Sequence, residues 1–259
     1  MRKNKVVAIV GALALAATLV LSGCGSTAPK DTVIKVGTDA SYAPFGFKDS
    51  QTGNLAGFDI DVINAIAKEE GLKAETQNLN FDALLPALQT NTIDVAISDM
   101  TITDDRAKQV DFSNAYYVAG SGLVVNPDNT TIYAFRDLPG KRIGVSIGST
   151  GAEIAGKIPN ADVRQFNTIV DAFLELQNGG VDVVINDTPV NQYYVTTKGK
   201  GIAKVIGEDY EAAPLGIAVK KGNTELLKKI NDGLQKIKAN GEYNKIYKKW
   251  FDKEPPVAG

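Results

Sequence analysis

Apolar residues recur along this chain with two different spacings, which together predict alternating strands and helices. Short runs rich in β-branched residues, such as residues 33–38 and 181–185, have the length of buried strands. The segment 58–70 carries apolar residues at positions 58, 60, 62, 63 and 66, the spacing of one helix face, and Gly71 follows as a stop signal. The alternation of the two patterns is typical of an α/β protein.

The same spacings predict the remaining elements. Strands are expected at residues 73–77, 93–97, 142–147, 163–166 and 216–219, and helices at 81–88, 169–177, 225–238 and 242–250. Thr103 is expected to cap a short helix, and Pro189 to lie in a first helical turn. A small-residue turn at 148–151 should lead into another helix. Residues 39–47 are interpreted as a loop, and residues 116–120 and 211–215 as crossovers.

One polar and apolar pattern occurs twice. The order L-Q-x-x-x-(I/V)-D-V-x-I-x-D begins at Leu88 and again at Leu176, and it ends at Asp99 and Asp187. Each copy predicts a helix end, a polar turn and a strand covered on both faces, as in a parallel sheet. Because ligands of open α/β sheets bind beyond the carboxyl ends of the strands, the two acids point to a cleft between two lobes. Chance similarity between two ordinary αβ units is the alternative.

The order of the elements predicts that the second lobe is inserted into the first. Lobe 1 is expected to comprise residues 32–118 and 214–254, and lobe 2 residues 119–213. Two hinge strands would join the lobes, because glycine and short linking segments can absorb changes in backbone dihedral angles. The expected hinge positions are Tyr117, Gly120, Ala213 and Pro214.

The N-terminal segment has the pattern of a secretory signal. Three basic residues precede the apolar run 6–21, and Leu-Ser-Gly-Cys ends at Cys24. This ending resembles the lipobox of bacterial lipoproteins. The resemblance implies a signal peptide at residues 1–23, a lipid on Cys24, a tether at residues 24–31 and an extracytoplasmic protein anchored to the cell membrane. An uncleaved membrane anchor is the alternative. Cys24 is the only cysteine, so no disulfide framework is expected.

Composition narrows the possible chemistry. The formal net charge is −2, and we find no basic stripe of the kind that binds nucleic acid. The chain has no histidine, which excludes a Ser-His-Asp triad and removes the most common transition-metal ligand. The G-x-S-x-G match at residues 144–148 therefore does not indicate a hydrolase. We expect no cofactor, no metal site and no catalytic residue.

Four predicted strand ends and helix starts would line the cleft, at residues 39–45, 98–106, 146–151 and 186–189. Together they offer one arginine, small hydroxyls, amides at a helix start, aromatic rings and several acids. A carboxylate prefers a guanidinium and helix N-terminal amides, and an ammonium prefers a carboxylate. The inventory therefore matches the needs of an amino acid zwitterion.

Several motifs, in order, resemble extracellular solute-binding proteins for polar amino acids, the partners of ABC importers. They are G-T-D-A-S-Y-A-P-F, G-F-D-I-D, L-P-A-L-Q, M-T-I-T-D-D-R, V-D-F-S, G-S-T and N-D-T-P. The most similar sub-group is glutamine- or basic-amino-acid-binding proteins. The resemblance implies a periplasmic-binding-protein fold, in which two lobes with mostly parallel, helix-flanked sheets are joined by two hinge strands. It also implies an ABC permease as partner and a monomeric protein.

The resemblance assigns roles to individual positions. Arg106 would clamp the ligand carboxylate with help from Thr101 and Thr150, and Asp187 would bind the α-ammonium with Ser98 or Asp99 assisting. Tyr42 and Phe81 would enclose the side chain, and Asp39 would meet its far end. Ser146 and Ser149 complete the ligand-binding set on lobe 2.

Each role has a structural alternative. Arg106 could instead pair with Asp104 or Asp105 on its own helix, and Asp187 could only cap the next helix. Tyr42 and Phe81 could be plain core residues, and Asp99 could face solvent.

Charge bears on the choice of ligand. Arg106 and Asp187 already balance the charged groups common to all amino acids, so Asp39 and Asp99 are surplus acids. Ser146 stands where some glutamine-binding relatives carry a lysine. Because a dry carboxylate without a partner is costly, we expect a basic amino acid, arginine first and lysine next. Glutamine is the rival ligand. A cyclohexadienyl dehydratase using Glu153 or Asp99, and an input module of a membrane receptor, are rival functions.

Overall fold

The computed structural model describes residues 32–256. The expected signal peptide, Cys24 and the tether lie outside the described residues. Within residues 32–256, no helix combines the length and the apolarity needed to cross a membrane.

The first sheet carries most of the N-terminal strands and one late strand. Its members are β1 (Thr32–Thr38), β5 (Leu72–Asn78), β6 (Val95–Ala96), β7 (Val110–Phe112) and β13 (Ala218–Lys220). The spatial order is β5-β1-β6-β13-β7. Strand β1 pairs parallel with β5 and β6, whereas β13 runs antiparallel to both of its neighbours. Four strands therefore point one way and β13 the other.

The second sheet repeats this layout. It contains β8 (Tyr117–Val125), β9 (Arg142–Ser146), β10 (Asp162–Phe166), β11 (Val183–Asp187) and β12 (Lys204–Leu215). The order is β10-β9-β11-β8-β12, and β8 is the strand that runs against the other four. The predicted mostly parallel sheets are thus confirmed. The strand predicted at 181–185 lies two residues later, so Asp187 is its last residue instead of following it.

A small third sheet corrects the prediction of a loop at residues 39–47. Three short antiparallel strands follow β1, namely β2 (Ser41–Tyr42), β3 (Gly46–Lys48) and β4 (Leu55–Ala56). Strands of two or three residues are too short to show an alternating pattern, so periodicity cannot reveal them. The small sheet presents Tyr42 as a buried residue.

In the described part of the chain, eight α-helices flank the sheets. They are α1 (Phe58–Glu69), α2 (Phe81–Gln89), α3 (Asp104–Ala107), α4 (Thr150–Ala155), α5 (Ile169–Gln177), α6 (Thr188–Thr196), α7 (Thr224–Ala239) and α8 (Glu242–Phe251). Helix α1 packs against α7 and α8. A Cβ atom at Gly233 of α7 would come within 2.8 Å of the Ile66 side chain, so glycine permits this close packing. Phe58 is fully buried among aromatic rings of α8 and the start of β8.

Two long strands connect the halves of the molecule. β8 and β12 pair antiparallel, with Tyr117 opposite Leu215, Val118 opposite Pro214 and Ala119 opposite Ala213. The register shifts on either side of Tyr210. The two predicted crossovers are thus the ends of much longer strands that continue into the second sheet. Tyr117, Gly120, Ala213 and Pro214, the predicted hinge positions, all lie on this two-stranded ribbon.

Candidate ligand-binding cleft

The ends of strands from both sheets meet at one cleft. The Oγ1 atoms of Thr101 and Thr150, which belong to different halves, are 3.0 Å apart. The Nη2 atom of Arg106 donates a hydrogen bond to the carbonyl oxygen of Gly148 across the same gap, at 3.0 Å. The predicted segments 98–106 and 146–151 therefore meet across the cleft, which is closed at this point.

Arg106 enters the cleft from α3. The side chain of Thr103 caps this helix by accepting a hydrogen bond from the Arg106 amide, as the sequence predicted. The Nη1 atom of Arg106 donates a hydrogen bond to the carbonyl oxygen of Thr101 at 2.9 Å, and the guanidinium lies 5.2 Å from the centre of the Phe81 ring. The residue is only 5% exposed, and burial lowers its pKa.

The guanidinium of Arg106 lacks a counter-ion. Among residues 32–256, no carboxylate oxygen lies within 4.0 Å of it. Asp105, one of its alternative partners, instead pairs with Lys108 at 2.6 Å. A buried guanidinium held by two carbonyl groups has donors left for an anion.

Asp99 and Asp187 form the acidic side of the cleft. Asp99 is 2% exposed, and neither of its carboxylate oxygens has a hydrogen-bond partner in the described part of the chain. It lies close enough to Asp187, which comes from the other sheet, for the negative charge of Asp187 to raise the pKa of Asp99. Burial is the largest cause that raises the pKa of both groups. Two carboxylates can only accept hydrogen bonds, so this pair requires a proton or a cation between its members.

Asp99 does not face solvent and Asp187 does not cap a helix with its side chain, which were the structural alternatives for these two acids. Asp99 is buried at the cleft and does not face solvent. Asp187 stands at the N-cap position of α6, but its side chain makes no capping hydrogen bond. It accepts a hydrogen bond from the Ser121 hydroxyl at 3.4 Å instead.

Asp39 differs from these two acids because the backbone already engages it. Its Oδ1 atom accepts from the Ser41 amide at 2.9 Å, and its Oδ2 atom accepts from the Phe81 amide at 3.1 Å. The side chain is 3% exposed, and burial raises its pKa. The Ser98 hydroxyl accepts a hydrogen bond from the Asp39 amide at 2.9 Å. Asp39 and Ser98 therefore also hold the small sheet and α2 together.

The rings of Tyr42 and Phe81 lie side by side, with centroids 5.9 Å apart and planes inclined by 33°. Both residues are buried. The Tyr42 hydroxyl lies near the hydroxyl of Ser146, yet the two do not form a hydrogen bond of standard geometry, and neither has another partner among the described residues. Burial raises the pKa of Tyr42, and the charges of the three cleft acids raise it further. Two buried hydroxyls without partners point to a polar ligand.

Ser149 has a clearer structural role than predicted. Its hydroxyl accepts from the Ala152 amide at 3.1 Å and donates to the Ser146 carbonyl at 2.8 Å. The side chain therefore caps α4, and Thr150 is the residue of this turn that reaches across the cleft.

Several residues of the cleft were missed. Gly148 and Ser121 contact it through a carbonyl and a hydroxyl, and the sequence carries no signal for either contact. Asp59 binds the Asp99 amide, and this residue did carry a signal, because an acid stands on the apolar face of α1.

A cavity of about 210 Å³ adjoins the cleft, lined by Thr101, Thr150, Glu153, Asp187 and Glu211 among others. A larger cavity of about 660 Å³ lies among α1, α7 and α8 and shares none of these residues. Within residues 32–256, no cluster of three or more acids or cysteines is placed to hold a metal ion.

Comparison with known families shows to which family the chain belongs. Residues 34–253 match the model for bacterial extracellular solute-binding proteins, family 3. The chain belongs to this family. The predicted family membership is thus confirmed, and the family description agrees with the predicted extracytoplasmic location.

Individual members of family 3 are similar over most of their length. The probable histidine-binding protein of Neisseria gonorrhoeae is 37% identical over 259 residues, which cover 95% of this chain and 96% of the relative. The arginine-, lysine-, histidine-binding protein ArtJ from Geobacillus stearothermophilus superposes with a TM-score of 0.82 at 38% identity, covering 88% of this chain and 98% of that one. An ancestral arginine-binding protein bound to glutamine gives 0.80 at 45% identity, covering 86% and 100%. These likenesses confirm the two-lobed fold.

Proposed function

We propose that this protein binds a basic L-amino acid in the cleft and delivers it to the permease of an ABC importer. One observation carries the proposal. No carboxylate among the described residues lies within 4.0 Å of the buried Arg106 guanidinium, and no lysine or arginine lies within 4.0 Å of Asp99 or Asp187 in the same cleft. An amino acid supplies both missing charges, because its carboxylate satisfies the first site and its ammonium the second.

The remaining charge favours a cationic side chain. Two buried acids, Asp39 and Asp99, line the cleft together with the half-buried Asp187 and one guanidinium. The α-carboxylate and α-ammonium of any amino acid cancel each other, so the cleft keeps its excess negative charge when they bind. A guanidinium or ammonium on the ligand side chain would offset Asp39, whose carboxylate still has free lone pairs. Ser146 adds no positive charge. Two similar proteins, a probable histidine-binding protein and an arginine-, lysine-, histidine-binding protein, support this class.

Glutamine is the second candidate ligand. It is favoured by the similar ancestral arginine-binding protein, which is described as bound to glutamine. Arginine and glutamine share the α-carboxylate and α-ammonium that Arg106 and Asp187 would bind, so the cleft would distinguish them by the far end of the side chain.

The proposed residue roles follow the geometry of the cleft. Arg106, Thr101 and Thr150 would hold the carboxylate, and Asp187 and Asp99 the ammonium. Tyr42 and Phe81 would cover the side chain, with Asp39 at its end. Ser98, Ser146 and Ser149 would frame the site.

Delivery requires that the cleft opens and closes. Closure would bend β8 and β12 near Tyr117, Gly120, Ala213 and Pro214, moving residues 119–213 against 32–118 and 214–254. A lipid on Cys24 would hold the monomeric protein at the membrane beside its permease. Contacts made to both halves at once would drive the closed population.

Thermal unfolding against the twenty amino acids tests the proposal. A ligand that binds only the folded state raises the melting temperature by mass action. We expect the largest rise with arginine, then lysine, and none of these rises in Arg106→Ala. A rise with glutamine alone would refute the basic ligand but retain transport, and no rise with any amino acid would refute the proposal. Prephenate and arogenate should not be turned over, which separates transport from dehydratase activity.

A further inference from the structure

We infer that Asp59 is a positioning residue that couples the ammonium end of the cleft to the crossover strands β8 and β12. Its carboxylate contacts two segments that lie 40 and 57 residues further along the chain. The Oδ2 atom accepts a hydrogen bond from the Asp99 amide at 2.9 Å, and the Oδ1 atom accepts one from the Tyr116 hydroxyl at 2.8 Å. The inference rests on the proposed function, because it assumes that Asp99 faces a bound ammonium.

Within residues 32–256, Asp59 is a buried acid without an ionic partner. The residue is fully buried on the apolar face of α1, and no lysine or arginine lies within 4.0 Å of it in the described chain. An apolar residue at this position would avoid the desolvation cost of a carboxyl group. Two residues later on the same helix, Asp61 forms an ion pair with Lys249 at 2.7 Å. Asp59 has no such partner among the described residues.

The arm toward Asp99 holds a strained residue in place. Asp99 has a backbone φ of 49°, in the left-handed region that residues other than glycine rarely adopt. Its amide is fixed by Asp59, and its carboxylate then lies against Asp187 of the other half. Without the bond to Asp59, Asp99 would lose the anchor that directs its side chain into the cleft.

The arm toward Tyr116 reaches both crossovers. Tyr116 directly precedes β8, and its amide donates to the carbonyl oxygen of Leu215, the last residue of β12, at 3.0 Å. The hydroxyl of Tyr243 on α8 donates to the Tyr116 carbonyl. The Asp59 carboxylate therefore links the loop that would bind the ligand to the start of β8 and the end of β12.

This arrangement predicts that Asp59 affects ligand binding without touching the ligand. Asp59→Ala removes both arms, whereas Asp59→Asn can keep both. The amide oxygen accepts from the Asp99 amide, and its NH2 group donates to the Tyr116 oxygen. Asp61→Ala is the matched control, because it removes an acid from the same helix with no contact to the cleft.

The experiment is isothermal titration of the purified protein with L-arginine, together with melting temperatures of the ligand-free variants. We expect Asp59→Ala to weaken binding roughly tenfold or more and Asp59→Asn to bind within about threefold of wild type, while Asp61→Ala binds normally. Tyr116→Phe should weaken binding by less than Asp59→Ala. The double variant should bind no more weakly than Asp59→Ala alone, because both changes act through one side chain.

Two results would overturn the inference. One is wild-type affinity in Asp59→Ala. The other is an equal loss of affinity in Asp59→Ala and Asp61→Ala at an equal loss of melting temperature, which would mean that α1 acts only through stability. Failure of the proposed function would look different, because the wild type itself would then bind neither arginine nor any other amino acid.

Discussion

The two sheets share one strand order but equip the cleft unequally. Each has five strands, four in one direction and the fourth in the order reversed. The first half contributes the guanidinium, the two aromatic rings and two buried acids, namely Arg106, Phe81, Tyr42, Asp39 and Asp99. The second contributes one acid, Asp187, and the short turn around Thr150.

This difference indicates a division of labour on a repeated scaffold. Under the proposed function, the first half would supply most of the groups that bind a free amino acid, so it would hold the ligand while the cleft is open. The second half would add its contacts on closure, through Asp187 and Thr150, and the closed cleft also joins the halves by the Arg106–Gly148 and Thr150–Thr101 hydrogen bonds. Variants of the first half should therefore abolish capture, and those of the second should mainly weaken closure.

The largest effect should come from Arg106→Ala in the first half. Arg106 carries the only buried guanidinium among residues 32–256. Truncation of one partner of a buried charge pair costs about 3 to 4 kcal/mol, or roughly 100- to 1,000-fold in affinity. Isothermal titration with arginine measures this loss. Arg164→Ala, which removes an arginine paired with Asp162 at the surface, is the control and should bind normally. Retained binding in Arg106→Ala would break the comparison.

A smaller loss is expected for Asp187→Asn in the second half. It removes one of two acids beside the ammonium, so Asp99 still contributes, and we expect a loss on the order of 30-fold. Small-angle scattering should show weaker compaction at a given arginine concentration. Asp182→Asn removes an acid that pairs with Arg142 in the same lobe and should leave compaction unchanged. A greater loss than in Arg106→Ala would reverse the assigned division of labour.

Asp39→Asn in the first half should change the affinity for arginine more than the affinity for glutamine. The carboxylate would meet a cationic side chain, so arginine affinity should fall roughly tenfold while glutamine affinity changes about threefold or less. Titration with both amino acids gives the ratio. Equal losses would mean that Asp39 acts only through its hydrogen bonds to the Ser41 and Phe81 amides.

The smallest effect concerns the pH dependence of stability in the first half. Burial raises the pKa of Asp59 to about 7, although hydrogen bonds from Tyr116 and the Asp99 amide oppose this. The folded protein therefore keeps a proton that the unfolded chain releases near pH 4, and the stability gained at low pH is lost as pH rises through about 7. Asp59→Asn should make the melting temperature of the ligand-free protein fall less steeply between about pH 4 and about pH 7, while Asp39, Asp99 and Asp187, whose pKa values are also raised, keep part of the slope. Identical slopes in wild type and variant would contradict this.

Much of the fold was readable because repeated patterns carry their own periodicity. The copies beginning at Leu88 and Leu176 predicted equivalent αβ units, and these units lie at equivalent places in the two sheets. The strand β12 was only partly predicted, since Glu208, Asp209 and Glu211 make its middle as polar as a loop. Its pairing with β8 supplies the stability that local composition does not show.

The sequence predicted site residues with distinctive side-chain chemistry, but it did not predict contacts made by groups that every residue carries. A single arginine after a strand, or an acid at the end of one, stands out in sequence, and Arg106 and Asp187 do lie in one cleft. The carbonyl of Gly148 cannot be recognised in this way, because every residue has one. Asp59 lay between these cases, since its position on an apolar helix face was visible but its partners depend on tertiary contacts.

The pairing of Tyr117 with Leu215 bears on how such proteins can change over time. The chain leaves the first half and returns to it at two neighbouring positions, so the intervening segment has adjacent ends. A segment of this kind can be exchanged as a cassette while its host keeps its own core, as domain insertion generally shows. Family members could therefore acquire new ligand preferences by recombining halves, with the groups of the first half retained and those of the second replaced.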